Sequence, residues 1–384
     1  MIFYRPCFFA DIIRDEERAI GHKWEENQLP EITLCPECNV PQAIAQNYTW
    51  LDSGVMVQTN NKSRRVGFIE SGNLDPLYEG VGKIIGHPID DRVIDILRRG
   101  TIDYFKNILP GAGGMMRNSN VGTDFVSDFM MTMAQLNGFG KYEVLEIQYN
   151  GDGDDHTVLR VTNPFSVLLC LGSQSGGVEM ISGDPHNVSY REVSPGVFEI
   201  TARVNRKKEE PAESLQIEEY CYRGGDIELE RCGTCRIPKV LGGFQWILKA
   251  GIIANGWTGR RMVMMGPEAQ DPLFRELERQ LGEKVPAAVI EAQRLFTKTG
   301  FYSLDEITNQ GDFRTQLAVR GLGNLKRMKL GAKGLSMRID DAACYFMTLG
   351  MAQGLFEMAF GLDSRIEWQI SAEGDLELEV VPVI

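Results

Sequence analysis

Two cysteine pairs are the residues of this chain best suited to chemistry. Cys35 and Cys38 form one Cys-x-x-Cys pair, and Cys232 and Cys235 form another at a spacing of 197 residues. This motif places two thiolates on one tight turn, with the bite that a tetrahedral metal requires. A proline stands three residues after the second cysteine in both pairs. We call Cys35–Pro41 knuckle 1 and Cys232–Pro238 knuckle 2.

One knuckle supplies only two ligands, so a complete site needs more donors. Duplicated domains often pack about a pseudo-twofold axis, which would bring four thiolates to one ion. Zinc is the favoured occupant, and an iron–sulfur cluster is the second choice. Three alternatives stay open: separate sites that recruit outside ligands such as Glu37 or His22, redox-active dithiols, or no metal.

The knuckles begin two similar stretches of sequence, which predicts an internal duplication. Trp50 matches Trp246, and Arg64-Arg65 matches Arg260-Arg261. Further along, an ungapped register relates Arg160 to Arg338, Gly172 to Gly350, Gly176 to Gly354 and Glu179 to Glu357. The predicted organisation is an N-terminal extension (1–30), copy 1 (31–204), a charged linker (205–227) and copy 2 (228–384).

The composition of the chain argues against several classes of function. The 384 residues carry a net charge of −13, and no basic run stands out, which argues against a nucleic-acid partner. No apolar run reaches the length of about 18 residues that a membrane span needs, so we expect a cytoplasmic protein. There, the eight cysteines are more readily thiols or metal ligands than disulfides. All four histidines lie in the first half, which disfavours a histidine-based centre.

The predicted fold class is α+β. Each copy should contain a knuckle and a hairpin, then a helical layer, then a β-β-α-β-β unit, with the copies related by a pseudo-twofold axis. In copy 2 the hairpin strands are predicted at Phe244–Ala254 and Arg261–Met265. The helices are predicted at Pro272–Leu281, Pro286–Lys298, Asp312–Arg320 and Ala342–Phe360, the last of them apolar nearly all round.

The last sixty or so residues of each copy resemble the 4-vinyl-reductase-type domain, whose fold is shared with TRAPP subunits and heme-NO-binding-associated domains. The run from Arg160 to Phe165 and the glycine-studded helix behind it carry the resemblance. It implies a pocket for a small hydrophobic or aromatic ligand. Cysteines that bind zinc after the helix in such domains have no counterpart in 183–204 or 361–384, so that metal site does not carry over.

Five further residues are candidate ligand contacts. Arg260 and Arg261 stand where a hairpin turn becomes a strand, and paired guanidinium groups can hold a carboxylate or phosphate. Arg160 and Arg338 lie on strands that enter the buried helix, and Trp246 precedes a hairpin. Each also has a structural interpretation, as an edge-strand charge, a paired arginine or a core aromatic residue.

These observations predict a metal-stabilised tandem protein that binds a small apolar or aromatic molecule, or serves a metabolic pathway as an accessory. The ligand would need an apolar cavity between the buried helix and the helical layer. One alternative is a reductase or other metal-dependent enzyme, or a subunit of one, that uses the cysteine-bound centre. Another is an assembly subunit, with a protein partner or further copies of the chain as its partners.

Overall fold

Both halves of the chain contain the same succession of helices and strands. The computed structural model describes residues 32–108, 123–151, 153–207, 219–266, 270–304 and 310–383. Within these ranges the protein is a mixed α+β structure, which confirms the predicted fold class. The predicted N-terminal extension, His22 and the centre of the predicted linker fall outside the described residues.

Copy 1 begins with knuckle 1 and ends in a β-β-α-β-β unit. Its elements are α1 (Gln42–Asn47), β1 (Tyr48–Trp50), β2 (Met56–Gln58), β3 (Arg65–Glu70), α2 (Leu74–Ile85), α3 (Asp90–Ile108), α4 (Thr123–Leu136), β4 (Lys141–Gln148), β5 (His156–Thr162), α5 (Val167–Ser182), β6 (His186–Ser194) and β7 (Val197–Val204).

Copy 2 repeats this order, with a 3₁₀ helix in place of α1. Its elements are β8 (Phe244–Ile247), β9 (Ile252–Asn255), β10 (Arg261–Met265), α6 (Asp271–Leu281), α7 (Lys284–Phe296), α8 (Gln310–Val319), β11 (Asn324–Gly331), β12 (Gly334–Asp340), α9 (Tyr345–Phe360), β13 (Ser364–Ile370) and β14 (Leu376–Pro382).

Most boundaries in copy 2 lie within about two residues of the prediction, and two elements differ more. The strand predicted from Phe244 to Ala254 is divided into β8 and β9 by a 3₁₀ turn, after which Gly251 adopts a left-handed conformation. The buried helix α9 begins at Tyr345 instead of Ala342. Asp341 and Cys344 have φ angles of 52° and 51°, and this left-handed backbone delays the start of the helix.

The copies share one sheet and keep two of their own. The shared sheet has the strand order β1-β2-β3-β10-β9-β8. The separate sheets have the orders β4-β5-β7-β6 and β11-β12-β14-β13. At the centre of the shared sheet, β3 and β10 pair antiparallel and place Phe68 opposite Met264. These two residues are equivalent, because Arg65 and Arg261 open the two strands, so a local twofold axis passes between them.

The shared sheet separates two apolar cores. Side chains alternate between the two faces of a strand. Phe68 and Met264 therefore point into a smaller core that contains three buried cysteines of the knuckles, which we call the knuckle core. Ile69 and Val263 point the other way, into a larger core formed with the helices.

The buried helices α5 and α9 pack directly on the helical layer through their glycines. A Cβ atom on Gly176 would lie 2.4 Å from the carbonyl oxygen of Arg98, and one on Gly354 would lie 2.9 Å from that of Arg294. Backbone therefore meets backbone along these contacts. These contacts occupy part of the region between the buried helix and the helical layer, and the apolar cavity there stays a prediction.

Candidate metal centre

The two knuckles have the same backbone structure. In knuckle 1, the N–H of Asn39 donates to the carbonyl of Cys35 at 2.9 Å, and in knuckle 2 Arg236 donates to Cys232 at 3.0 Å. Asn39 and Arg236 have φ angles of 58° and 66°. A left-handed residue after the second cysteine thus turns the chain back. An isolated β-bridge then closes each turn, between Leu34 and Pro41 in knuckle 1 and between Arg231 and Pro238 in knuckle 2.

The four cysteine sulfurs form one group. The Sγ atoms of Cys35 and Cys232 lie 3.7 Å apart, and those of Cys38 and Cys235 lie 3.5 Å apart. All four sulfurs lie within 4.8 Å of one another. Zn–S bonds of about 2.3 Å in tetrahedral geometry require sulfurs roughly 3.8 Å apart. The donor set therefore fits a single metal ion shared by the two copies.

The group extends from the knuckle core towards the surface. Cys35 and Cys232 are fully buried, whereas Cys38 is 7% exposed and Cys235 is only partly buried. The inner pair is held among apolar side chains such as Phe68 and Met264. The outer pair lies closer to solvent, so it is the side of the group nearer to chelators and oxidants.

Hydrogen bonds and burial act in opposite directions on these thiols. The backbone N–H of Cys38 contributes most to lowering the pKa of Cys35 to about 7. Burial raises the pKa of Cys38 and that of Cys235. Because thiolates are the metal-binding form, metal binding at this group must release protons.

Glu37 connects the two knuckles and lies outside the group of sulfurs. Its carboxylate accepts the N–H of Gly233 at 3.0 Å, the N–H of Thr234 at 2.9 Å and the hydroxyl of Thr234 at 2.8 Å. These donors, with that of Gly233 contributing most, lower the pKa of Glu37 to about 2. The sequence suggested Glu37 as an outside ligand, whereas the structure engages it with the backbone of knuckle 2.

Arg65 and Arg261 make equivalent contacts that cross between the copies. Arg261 of copy 2 donates to three carbonyl groups of copy 1, those of Gly138, Asn163 and Pro164, at 2.6 to 3.0 Å. Arg65 of copy 1 does the same to three carbonyl groups of copy 2, those of Gly321, Asp341 and Ala342. These contacts fix each hairpin on the opposite copy. Ligand binding by Arg261 stays a prediction.

The other predicted ligand residues also have partners within the protein. The guanidinium of Arg260 lies over the ring of Tyr302, 5.0 Å from its centre. Arg160 forms an ion pair with Glu199 at 2.8 Å. Ligand binding by Arg260 and Arg160 stays a prediction.

Arg338 and the two tryptophans also have contacts within the protein. Arg338 pairs with Glu377 at 3.1 Å. The partly buried ring of Trp246 packs edge-on against Phe68, and Trp50 donates to the carbonyl of Val319 at 2.8 Å. Of the residues singled out from the sequence, the four cysteines form one group, and each arginine makes contacts of its own within the protein.

Two open grooves lie on the surface of the described residues. One of 370 Å³ runs beside knuckle 2 and is lined by Glu228, Leu229, Glu230, Lys239, Val240 and Thr315. The other, of 520 Å³, lies at the start of α3 and is lined by Pro88, Asp90, Asp91, Arg92, Asp95 and Gln280. The lining of the first includes the apolar side chains of Leu229 and Val240, whereas the lining of the second is predominantly charged.

Comparison with known proteins does not assign the chain to a family. No protein-family model and no curated protein matches the chain. Two solved structures show partial likeness. A mutant H-NOX of T. Tengcongensis has 15% identity and a TM-score of 0.23, with 31% of this chain and 77% of that chain covered. A mutant Cs H-NOX containing 4-cyano-L-phenylalanine has 16% identity and a TM-score of 0.23, covering 33% and 80%. At these values the likeness supports no conclusion about fold or function.

A membrane span requires a helix of about 20 predominantly apolar residues, and the helices of the described part do not meet this requirement. None of them combines the necessary length with the necessary apolar character.

Proposed function

We propose that the four cysteines hold one zinc ion and that this ion stabilises a non-catalytic binding or accessory protein of the cytoplasm. The observation that supports this best is the mutual distance of the sulfurs, all within 4.8 Å. Zinc is preferred over an iron–sulfur cluster because a cluster binds its thiolates through different irons, which spreads the sulfurs further apart than a single ion does.

A structural role for the ion follows from the number of thiolates. Four protein ligands fill a tetrahedral zinc, whereas catalytic zinc sites keep a position open for water or substrate. The ion would cross-link the two copies, because each knuckle supplies two of its ligands. An enzyme whose chemistry occurs at this centre would have to displace one of the thiolates.

Metal analysis of anaerobically purified protein tests the proposal. We expect one zinc per chain and no absorption in the visible range. A brown chromophore would contradict the zinc assignment and favour redox chemistry at the centre. Two zinc ions per chain would contradict a shared site, and a folded protein without metal would contradict the metal centre itself.

The groove beside knuckle 2 is our candidate site for a small apolar or aromatic ligand. Val240 is 38% exposed there and adjoins Leu229. Titration with the probe 1-anilinonaphthalene-8-sulfonate should show binding that Val240→Lys weakens. Val193→Lys is the matched control, because Val193 is similarly exposed, at 42%, and lies on β6, which does not line the groove. Equal binding by both variants would place the ligand elsewhere.

An assembly role is the second candidate. It is supported by the close backbone contacts of Gly176 and Gly354, which lie where the resemblance to 4-vinyl-reductase-type domains implies a pocket. If the probe does not bind, and the chain forms a defined complex of more than one copy in light-scattering measurements, the assembly role is favoured. The resemblance itself stays a proposal.

A further inference from the structure

The knuckles differ at the two residues between their cysteines. Knuckle 1 has Pro36-Glu37, and knuckle 2 has Gly233-Thr234. We call these the inner dipeptides. The Glu37 carboxylate receives three hydrogen bonds from the opposite dipeptide. A Cβ atom on Gly233 would lie 3.1 Å from an oxygen of Glu37, so glycine leaves room for the close approach of the carboxylate.

The contact joins equivalent positions. Glu37 and Thr234 are separated by 197 residues, the same spacing as the cysteine pairs. Equivalent residues touch only where they lie next to the twofold axis that relates the copies. Two knuckles of the same kind, paired in this geometry, would therefore bring two identical inner dipeptides face to face.

Neither like pairing satisfies its polar groups. Two Pro36-Glu37 dipeptides would oppose two carboxylates, and Pro36 has no N–H to offer in compensation. Like charges at such short range repel each other. Two Gly233-Thr234 dipeptides would present N–H donors without the carboxylate that accepts them. Only the unlike pairing brings one carboxylate to the three donors of Gly233 and Thr234.

We infer that the inner dipeptides determine which knuckles pair, so that the four-cysteine centre forms from one knuckle of each kind. Glu37 and Thr234 are thus positioning residues of the centre. This inference rests on the proposed metal centre, and it adds a selection rule that the cysteines themselves lack, because the cysteines are the same in both knuckles.

Exchange of the dipeptides provides the test. One variant carries Gly233→Pro and Thr234→Glu, which gives Pro-Glu in both knuckles. A second carries Pro36→Gly and Glu37→Thr, which gives Gly-Thr in both. The third carries all four substitutions and restores an unlike pair with the dipeptides exchanged. The measurements are the rate of zinc release to 4-(2-pyridylazo)resorcinol and the visible spectrum of the cobalt-substituted protein.

We expect the two like-paired variants to release zinc at least about tenfold faster than the wild type, since several charge-assisted hydrogen bonds are lost. The Pro-Glu variant should be the fastest. The exchanged variant should stay within about threefold of the wild type and keep its cobalt spectrum. It contains every substitution, so its recovery would exclude a general folding defect.

Equal release rates in all four proteins would overturn the inference, as would an exchanged variant that releases zinc as fast as the like-paired ones. Failure of the proposed function would look different, because the wild-type protein would then contain no zinc to release.

Discussion

The backbone of Gly54 lies directly against that of Gly323. A Cβ atom on Gly54 would be 2.5 Å from the carbonyl oxygen of Gly323, and the N–H of Gly323 donates to the carbonyl of Gly54 at 3.1 Å. The equivalent residues Gly251 and Gly140 make the same contact, with a hydrogen bond of 2.9 Å. Each hairpin therefore packs on the four-stranded sheet of the other copy.

The packing of each hairpin on the opposite copy should depend on Arg65 and Arg261. Arg261→Met removes the donors of three carbonyl groups at the contact between the copies. We expect a loss of about 3 kcal/mol in the free energy of unfolding, because partly buried acceptors are left without partners. Arg65→Met should have a similar effect through its own three carbonyl groups.

Urea unfolding followed by tryptophan fluorescence measures both losses. Arg365→Met is the control, since that arginine is 67% exposed and pairs only with Glu367 among the described residues. If Arg261→Met and the control differ by less than about 0.5 kcal/mol, the arginines do not fix the hairpins.

The glycines of the buried helices predict a second set of stability changes. Gly176→Ala would force a Cβ atom against the carbonyl oxygen of Arg98, and Gly354→Ala would force one against that of Arg294. Each should destabilise the fold by about 1–3 kcal/mol through overpacking. Gly331→Ala is the control, because nothing lies within 4 Å of the added methyl group. Thermal unfolding that leaves all three variants alike would contradict the close packing.

Removal of one outer thiol should empty the whole centre. In Cys38→Ser or Cys235→Ser, three thiolates remain, and the shared ion loses a quarter of its ligands. We expect metal to be lost from the entire chain at equilibrium with a chelator, together with a lower unfolding temperature. Metal quantification decides the outcome, because half occupancy would indicate two independent sites. Cys221→Ser, which changes an exposed cysteine outside the group, should retain the metal.

Asp271 should make stability depend on pH. The buried carboxyl accepts the N–H of Cys344 at 2.7 Å, and burial raises its pKa to about 7. In an unfolded chain the pKa of aspartate is about 3.9. The native state therefore favours the protonated form. The stability that this form contributes is complete below about pH 4 and is lost as the pH rises to about 7.

Asp271→Asn keeps an acceptor for the Cys344 N–H and removes the charge. At pH 8 the variant should be more stable than the wild type by roughly 1–3 kcal/mol, and the difference should shrink as the pH falls towards 5. Urea unfolding at several pH values measures it. Asp75→Asn provides the contrast, because Asp75 accepts a hydroxyl and an N–H from the start of α5, and loss of its charge should destabilise the protein. A pH-independent difference for Asp271→Asn would refute the explanation.

Much of this structure could be predicted from residue patterns. The spacing of Cys35, Cys38, Cys232 and Cys235 predicted that two half-sites would meet, and the sulfurs lie together. The long apolar run of the buried helix α9 predicted its position within a few residues. Both predictions depend on local patterns or on a repeat, which a single sequence displays directly.

The packing of each hairpin on the opposite copy could not be predicted in the same way. Arg65 and Arg261 occupy equivalent positions in the repeat, so a hairpin that packs on its own copy and one that packs on the other copy fit the sequence equally well. Glu37 was missed as a cross-knuckle acceptor. Its signal was the difference between the knuckles at the two residues that separate the cysteines, Pro-Glu against Gly-Thr.

The shared sheet constrains how this protein can evolve. Because β3 of one copy is hydrogen-bonded to β10 of the other, and each hairpin packs on the opposite copy, neither half is a transferable module. A recombination event that moved one half into another gene would separate β3 from β10 and the thiols of knuckle 1 from those of knuckle 2. The two halves must therefore be inherited together, and a substitution on one side of the axis is selected according to the residue that it meets from the other half.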